Sequence, residues 1–409
     1  MNPSTRIPLV GRWRQACAAL LAGTSMAALL VACGGGGDAP AGAGTPQAQS
    51  FASGPITGLG SVIVNGVRFD DSAARVENDE DDSVHRSSEL KLGMMVEIQA
   101  GKIDDNAGRA SASLIRFGSE IVGPVASKSS DPAPAPQTLR VLDQTIEVKS
   151  TTVFEEGIAG FADIKLDQVL EIHALFDAST GRYVATRIEA EPGATANRLR
   201  GVVKELTAKT FKIGDALIDF SNVPAADVPA NLANGQRVRV RLKTTQVVNG
   251  QWDAISVRTG VRKVDDIGDV RLRGKVTAYT SPQRFELQGI PVDASNASFE
   301  PNANAVVLGA LVEVRGQASN GKIIASRVKV RDERDDDLQR VELHGTVSAL
   351  SRSAKTFMVR EVKVDYSRVL EWKNGASAEL LADDKQVEVK GLWSDDRRVL
   401  FAVVIGFES

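Results

Sequence analysis

Two cysteines occur in 409 residues, Cys17 and Cys33, and both lie in the N-terminal segment. The rest of the chain therefore has no disulfide, no thiol nucleophile and no cysteine metal site. Aromatic residues are also scarce: 13 Phe, 3 Tyr and 4 Trp, of which only Trp252, Trp372 and Trp393 lie beyond the N-terminal segment. That is too few to furnish stacking platforms along such a chain. The three histidines, His85, His173 and His344, stand far apart and no HExxH occurs, so no metal site is expected. There is no GxSxG for a nucleophile elbow. Gly58-Leu59-Gly60-Ser61 leads from one strand pattern into another without a P-loop lysine, so it makes no phosphate cradle. No catalytic residue and no cofactor are assigned, and a non-enzymatic protein is expected.

Alternation of period two is present almost throughout. From Val270 the chain reads VRLRGKVTAYTSPQRFELQGIPVD and then VVLGALVEVRGQASNGKIIASRVKV, with apolar residues on one face of each strand and Gln288-Gly289 and Asn320-Gly321 as turns. The pattern recurs. Its opening glycine falls at Gly54, Gly123, Gly201, Gly274 and Gly345, each followed after one residue by Ile56, Val125, Val203, Val276 and Val347. A hairpin turn follows at Asn65-Gly66, Asp143-Gln144, Gly214-Asp215, Gln288-Gly289 and Arg360-Glu361. Next comes a strand headed LGMMVEI, LDQVLEI, ANGQRVRV, LGALVEV or DDKQVEV, and an alanine (Ala112, Ala185, Ala254, Ala325, Ala402) introduces the last strand. Four landmarks in one order define five repeats. The expected fold is all-β: tandem small antiparallel barrels, OB-like, in an elongated array. The repeats are placed at 54–120, 121–197, 198–269, 270–339 and 340–409. A barrel of about 70 residues buries only about 60% of its unfolded surface, so neighbours are expected to pack on one another.

Residues 1–33 read as a targeting segment: Arg6, Arg12 and Arg14, an apolar run from Ala16 to Val31, and then Leu30-Val31-Ala32-Cys33. The run is shorter than the ~20 residues that span a bilayer. Its end resembles the lipobox of bacterial lipoproteins, which implies that Cys33 is acylated and becomes the mature N-terminus, with membrane lipid as its partner. By the same resemblance, Gly34 after the cysteine implies the outer membrane. Residues 34–53 are small and polar, a coil with a reach of about 25 Å. Removing the three arginines takes the formal charge from −3 to −6. No nucleic-acid partner is expected of so acidic a chain.

Charge is unevenly spread. Arg198, Arg200, Arg237, Arg239, Arg241, Lys243, Arg258, Arg262 and Lys263 crowd the third repeat, several at alternate positions. Two readings are open: a solvated strand face, or a stripe at Arg237, Arg239 and Arg241 that binds an anionic glycan, a lipid headgroup or a neighbouring protein. Two acidic clusters, Glu77 to Asp82 and Asp332 to Asp337, lack EF-hand spacing and read as solvated loops. Finally, GPITGLGSVIVNGVRFDDS, from Gly54 to Ser72, resembles the opening of exported bacterial proteins built from repeats of the domain-of-unknown-function 5666 family. That resemblance implies β modules in a Gram-negative envelope and supplies no activity, cofactor or site residue. The expected role is a structural or protein-interaction module of the envelope. Glycan or anion binding is the alternative, and a hydrolase stands third.

Overall fold

The computed structural model describes residues 49–408 except 81, 131–135, 156, 247–249, 261–265, 333–339 and 395–398. The expected signal segment and Cys33 lie outside the described residues. What is described is five closed β-barrels. In barrel 1 the opening strand is Ser50–Pro55 continued by Gly58–Leu59, followed by Val62–Val64, Val67–Asp70, Met95–Ala100 and Arg109–Phe117. The equivalents are Ile121–Lys128, Gln137–Val141, Gln144–Val148, Val169–Asp177 and Arg182–Ala190 in barrel 2, and Asn197–Lys204, Thr210–Ile213, Ala216–Asp219, Arg237–Leu242 and Gln251–Thr259 in barrel 3. Barrel 4 uses Ile267–Ser281, Arg284–Leu287, Ile290–Asp293, Leu311–Ser319 and Lys322–Val330. Barrel 5 uses Arg340–Ser351, Thr356–Val359, Val362–Asp365, Gln386–Trp393 and Leu400–Phe407. The opening strand starts at Ser50, inside the stretch read as linker.

Every barrel closes in the order 1-2-3-5-4-1, antiparallel except for the third and fifth strands, which run parallel, as at Arg68↔Arg109 and Val292↔Ile323. This is the OB topology. In barrels 1 to 4 the connection from strand 3 to strand 4 holds a 3₁₀ turn.

Each sequence landmark has a mechanical reason. The opening glycine lies beneath the strand 2–3 hairpin: a Cβ on Gly54 would stand 2.7 Å from Asn65 Oδ1, and one on Gly201 would stand 2.3 Å from Ile213 Cγ2. The β-branched residue after it forms a two-bond clamp with the start of strand 4. Ile56 N donates to Met94 O and Gly93 N donates to Ile56 O, both at 2.9 Å, and the same pair recurs at Val125, Val203, Val276 and Val347. The clamp places one residue at positive φ in every barrel: Gly93, Asp167, Gly235, Gly309 and Asp384. The alanine of the closing strand marks a β-bulge in each copy, where Ala112 pairs Ala100, Ala185 pairs Ala174, Ala254 pairs Leu242, Ala325 pairs Gly316 and Ala402 pairs Gly391. Bulges sharpen the local twist, which barrel closure requires. One turn departs from the sequence reading. In barrel 2 the hairpin turns at Leu142-Asp143, a residue earlier than expected, because Leu142 takes positive φ and packs its buried side chain over Gly123.

Barrels that are not consecutive in the chain also pair with one another. The opening strand of barrel 1 runs parallel to that of barrel 4 (Ser50↔Asp269 to Ser53↔Leu272), and its continuation pairs barrel 5 (Gly58↔Glu342). Barrels 2 and 3 pair through their opening strands at Leu199↔Ile121. The cores merge accordingly. Phe69, Ile98 and Ile115 of barrel 1 share a cluster with Leu343, Phe357 and Val389 of barrel 5, while Ile146 and Ile172 of barrel 2 share one with Phe211 and Val240 of barrel 3. Barrel 4 has its own core, into which Phe51 of barrel 1 is packed. Small barrels gain burial by fusing cores, and which cores fuse is not dictated by chain order.

Barrels 1 and 2 meet at Leu92–Met95. Thr186 Oγ1 donates to Gly93 O at 2.7 Å, and Arg187, fully buried between Glu155 and Glu189, donates to Leu92 O at 3.2 Å. His173 is fully buried beside them, its Nδ1 at 3.1 Å from Gly118 O and 3.3 Å from Met95 N.

Two outcomes follow from this geometry. A Cβ on Gly93, at φ +79°, would stand 2.5 Å from Thr186 O, whereas Gly66, at φ +74°, faces open space. G66A is expected to cost about 1 kcal/mol through backbone strain and G93A at least about 2 kcal/mol more, by urea denaturation. Equal costs would show that the seam yields. Burial also holds the His173 imidazole well below its ordinary value, against the pull of Glu171 and Glu189. The unfolded chain takes up a proton near pH ~6.5 and the folded chain does not, so stability is complete above that pH and falls as the pH drops below it. H173N is expected to lose this slope between pH 7.5 and 5.5. An unchanged slope would exclude His173 as its source.

Candidate functional site at the barrel junction

Buried charge is concentrated where barrels 1 and 3 face each other. Arg237, Arg239 and Arg241 alternate along the fourth strand of barrel 3, and its opening strand sets Arg200 opposite Arg239 and Arg198 opposite Arg241. Directly opposed like charges destabilise a sheet unless an outside group compensates them. Barrel 1 supplies that group. A short strand, Arg75–Asn78, runs parallel to its closing strand and carries the chain to Asp79, whose N–H bonds Phe117 O at 2.9 Å. The Asp79 carboxylate accepts from Arg200 Nη2 and lies 3.8 Å from Arg239 Nη1, which donates to the Asp79 carbonyl. Glu120, between barrels 1 and 2, accepts from Arg237 Nη2 at 2.8 Å. Arg258 Nη1 donates to Glu80 O at 3.3 Å.

The stripe expected at Arg237, Arg239 and Arg241 is thus not an exposed surface. Arg237 is buried, Arg239 half-buried and Arg241 exposed, so the first two turn inward to an interface and neither a solvated face nor a glycan-binding stripe describes them. Arg262 and Lys263 lie outside the described residues. The first acidic cluster is corrected in the same way: Glu77 and Asp79 are buried, and Glu77 pairs Arg116 at 3.0 Å and Arg75 at 2.6 Å. Burial and the neighbouring Asp79 push the Glu80 carboxyl upward, against the pull of Arg200 and Arg239. Burial disfavours the charge on Arg200, but Asp79 and Glu120 outweigh it and hold the guanidinium protonated. In the second cluster Asp332 is exposed and residues 333–337 lie outside the described residues.

Barrel 4 closes the junction. Gln288, at the tip of its hairpin, joins Ser53, Glu97, Glu120, Arg200 and Arg237 around a cavity of about 60 Å³. Nearby, Lys275 Nζ donates to Asp177 of barrel 2 at 2.7 Å, and the buried Asp177 carboxyl is lowered, because that bond and those from Ser179 together outweigh the effect of burial.

A second charged cluster joins barrels 1 and 5. Glu342, His344 and Glu388 bring ligand-type atoms within 4.8 Å of one another. Arg68 bonds both carboxylates, Lys390 lies 3.4 Å from Glu342 and 3.1 Å from Glu388, and His344 sets its Nε2 at 2.9 Å from Glu342 and its Nδ1 at 2.5 Å from Glu408. The positive charge that a divalent cation would bring is already supplied by side chains. The tryptophans serve packing: Trp252 is buried and donates to Asp143 at 3.0 Å, while Trp372 and Trp393 pack against the core shared by barrels 1 and 5. The signal that sequence reading missed was reciprocal. The acidic run of repeat 1 and the basic run of repeat 3 are partners, 121 residues apart at Arg200 and Asp79.

D79A is expected to cost about 3–5 kcal/mol, because Arg200 and Arg239 would then oppose each other in a buried interface. Urea denaturation of D79A, of R239A and of the double variant measures this. Full additivity of the two would mean that the pair does not interact.

Three segments, 122–189, 273–329 and 344–406, match the family model described as Domain of unknown function (DUF5666), and they fall on barrels 2, 4 and 5. No curated protein matches the chain. Among solved structures, the one described as "drosophila Unr CSD456" aligns at 14% identity over 52% of this chain and 97% of that chain, with a TM-score of 0.14. A likeness of that size carries no argument here. The string from Gly54 to Ser72 lies in barrel 1, outside the matched segments.

Proposed function

We propose that this chain is a lipid-anchored structural module of a bacterial cell envelope, held at the outer membrane through an acylated Cys33 and offering its packed barrels to another envelope protein. The observation that carries the anchoring is the sequence Leu30-Val31-Ala32-Cys33 at the end of an apolar run, followed by a small polar linker. Two acyl chains give stable anchoring where one gives only reversible adsorption. The interaction role draws support from how the barrels spend their surfaces. Arginines that would serve an anionic ligand at the surface are turned into a seam, and barrel 5 leaves Leu370, Leu380 and Leu392 exposed. A protein partner that covered these leucines would take their apolar surface out of water. Among the described residues no helix is long and apolar enough to cross a membrane.

The test is made in the native envelope. C33S is expected to lose incorporated palmitate and to leave the membrane fraction, and crosslinking of the wild-type chain is expected to retain one stoichiometric protein, less of it with L370D. A C33S protein that sediments with membranes as before would remove the anchor from this reading. Recovery of polysaccharide without protein would replace the interaction role with glycan binding.

A further inference from the structure

One barrel face that is covered within the chain occurs a second time uncovered. At the seam of barrels 1 and 2, the turn into strand 4 of barrel 1 offers two carbonyls to the closing strand of barrel 2. Arg187 Nη1 donates to Leu92 O at 3.2 Å and Thr186 Oγ1 to Gly93 O at 2.7 Å. The hydroxyl also bonds His173 O at 3.0 Å, and the guanidinium bonds Glu155 on the short strand Val153–Glu155, which runs parallel to the closing strand. In barrel 4 the same places hold the same chemistry. Ser326 and Arg327 follow the bulge at Ala325 as Thr186 and Arg187 follow Ala185. Ser326 Oγ donates to Arg315 O at 3.2 Å, and Arg327 Nη2 donates to Glu300 on the parallel short strand Ser298–Glu300. Barrel closure does not demand this set, since Ser113-Leu114, Ile255-Ser256 and Val403-Val404 stand there in the other three barrels. Yet Thr186 and Arg187 are buried, whereas Ser326 is exposed and the Arg327 side chain is 48% exposed. The one departure, Lys329 where barrel 2 has Glu189, adds a further donor beside Glu300 at 2.6 Å.

The other half of the contact is also present and open. In barrels 1 and 4 the positive-φ residue of the turn into strand 4 is a glycine, and barrel 2 abuts both: a Cβ on Gly93 would stand 2.5 Å from Thr186 O, and one on Gly309 would stand 2.6 Å from Asp177 Oδ1. In barrels 2 and 5 the residue is an exposed aspartate, Asp167 or Asp384. Aspartate therefore suffices for the backbone, and what glycine adds is room for a close neighbour. Barrel 3 carries glycine, Gly235, at φ +86°, and a Cβ there would meet nothing within 4 Å. Ala233, Asn234 and Gly235 are all exposed.

We propose that the barrel 4 face formed by Ser326, Arg327 and Glu300 receives the Asn234-Gly235 turn of barrel 3 from a second copy of this chain. Arg327 then donates to Asn234 O and Ser326 to Gly235 O, as Arg187 and Thr186 do to Leu92 and Gly93. Face and turn are both exposed in a single chain, so one copy does not fill its own. The contact is heterologous and each copy carries both halves, so it builds a closed ring or a file of copies. It uses neither Cys33 nor the leucines of barrel 5, and so stands apart from the envelope partner proposed above.

The experiment is sedimentation equilibrium of the purified full-length protein in density-matched detergent, joined to site-directed crosslinking. Wild type is expected to associate, R327A to weaken association at least about tenfold with an unchanged melting midpoint, and G235D to do the same. G235D installs the residue that barrels 2 and 5 already carry at this place, so it is expected to fold. In the barrel 1–2 seam Lys91 Nζ lies 3.5 Å from Glu155, so Ala233, the counterpart of Lys91, should come beside the Ser298–Glu300 strand. Beyond residue 33 the chain has no cysteine, which leaves the introduced thiols alone there. A short bis-maleimide is expected to join A233C to S298C when the two variants are mixed, and to join neither variant to itself. A wild type that stays monomeric at every concentration would overturn the proposal, as would R327A or G235D associating like wild type. Crosslinking of S298C to itself would overturn it too, and so would association that only L370D abolishes, which would assign the contact to barrel 5.

Discussion

Barrel closure rests on one small main-chain device. In all five copies a β-branched residue of the opening strand exchanges two hydrogen bonds with the residues that lead into strand 4, at 2.8 to 3.0 Å. A sheet of five short strands closes only if its first strand bends enough to pair on both sides, and the clamp pins the place where that bend occurs. The other recurrent features serve it. The glycine two residues earlier lets the strand 2–3 hairpin fold over the barrel end, the positive-φ residue turns the chain into strand 4, and the bulge at the closing alanine adds the twist that brings strand 5 alongside strand 3.

A closed barrel of this size has few edges and little core, so what remains to be stabilised is its outer surface. The chain solves this by fusing pairs of cores, 1 with 5 and 2 with 3, and by letting the opening strand of barrel 1 pair with both barrels 4 and 5. Barrel 1 thereby touches every other barrel. Its opening strand is broken at Ile56-Thr57, and that break lets one strand serve two partners: Ser50–Pro55 lies along barrel 4 and Gly58–Leu59 along barrel 5.

Charge is the second material of these seams. Buried arginine is costly unless each guanidinium has acceptors, and acceptors here come from other barrels: Asp79 for Arg200, Glu120 for Arg237 and the Leu92 carbonyl for Arg187. Removing one barrel would leave charges stranded on the rest. Such dependence couples the barrels, because the loss of one partner strands the charge of the other, and few alternative arrangements would satisfy every guanidinium.

The amino-acid order by itself determined the local structure. Alternation of period two, turn residues and the spacing of glycine, β-branched residue and alanine are short-range steric facts, so strands, hairpins and the fivefold repeat were legible from Gly54 to Ser409. Leu142-Asp143 escaped because a leucine at positive φ is paid for by burial, which no local pattern records. Only the tertiary structure decided what the outward faces do. Arg237 and Arg239 occupy the alternating positions of a solvated strand, and Asp79 sits in what reads as a polar loop. A side chain that points away from its own barrel can meet water or another barrel, and alternation is the same in both cases. Contacts such as Arg200 with Asp79 depend on the rotation of whole barrels about one another, a quantity set by the sum of many seam contacts and written in no single stretch of the chain.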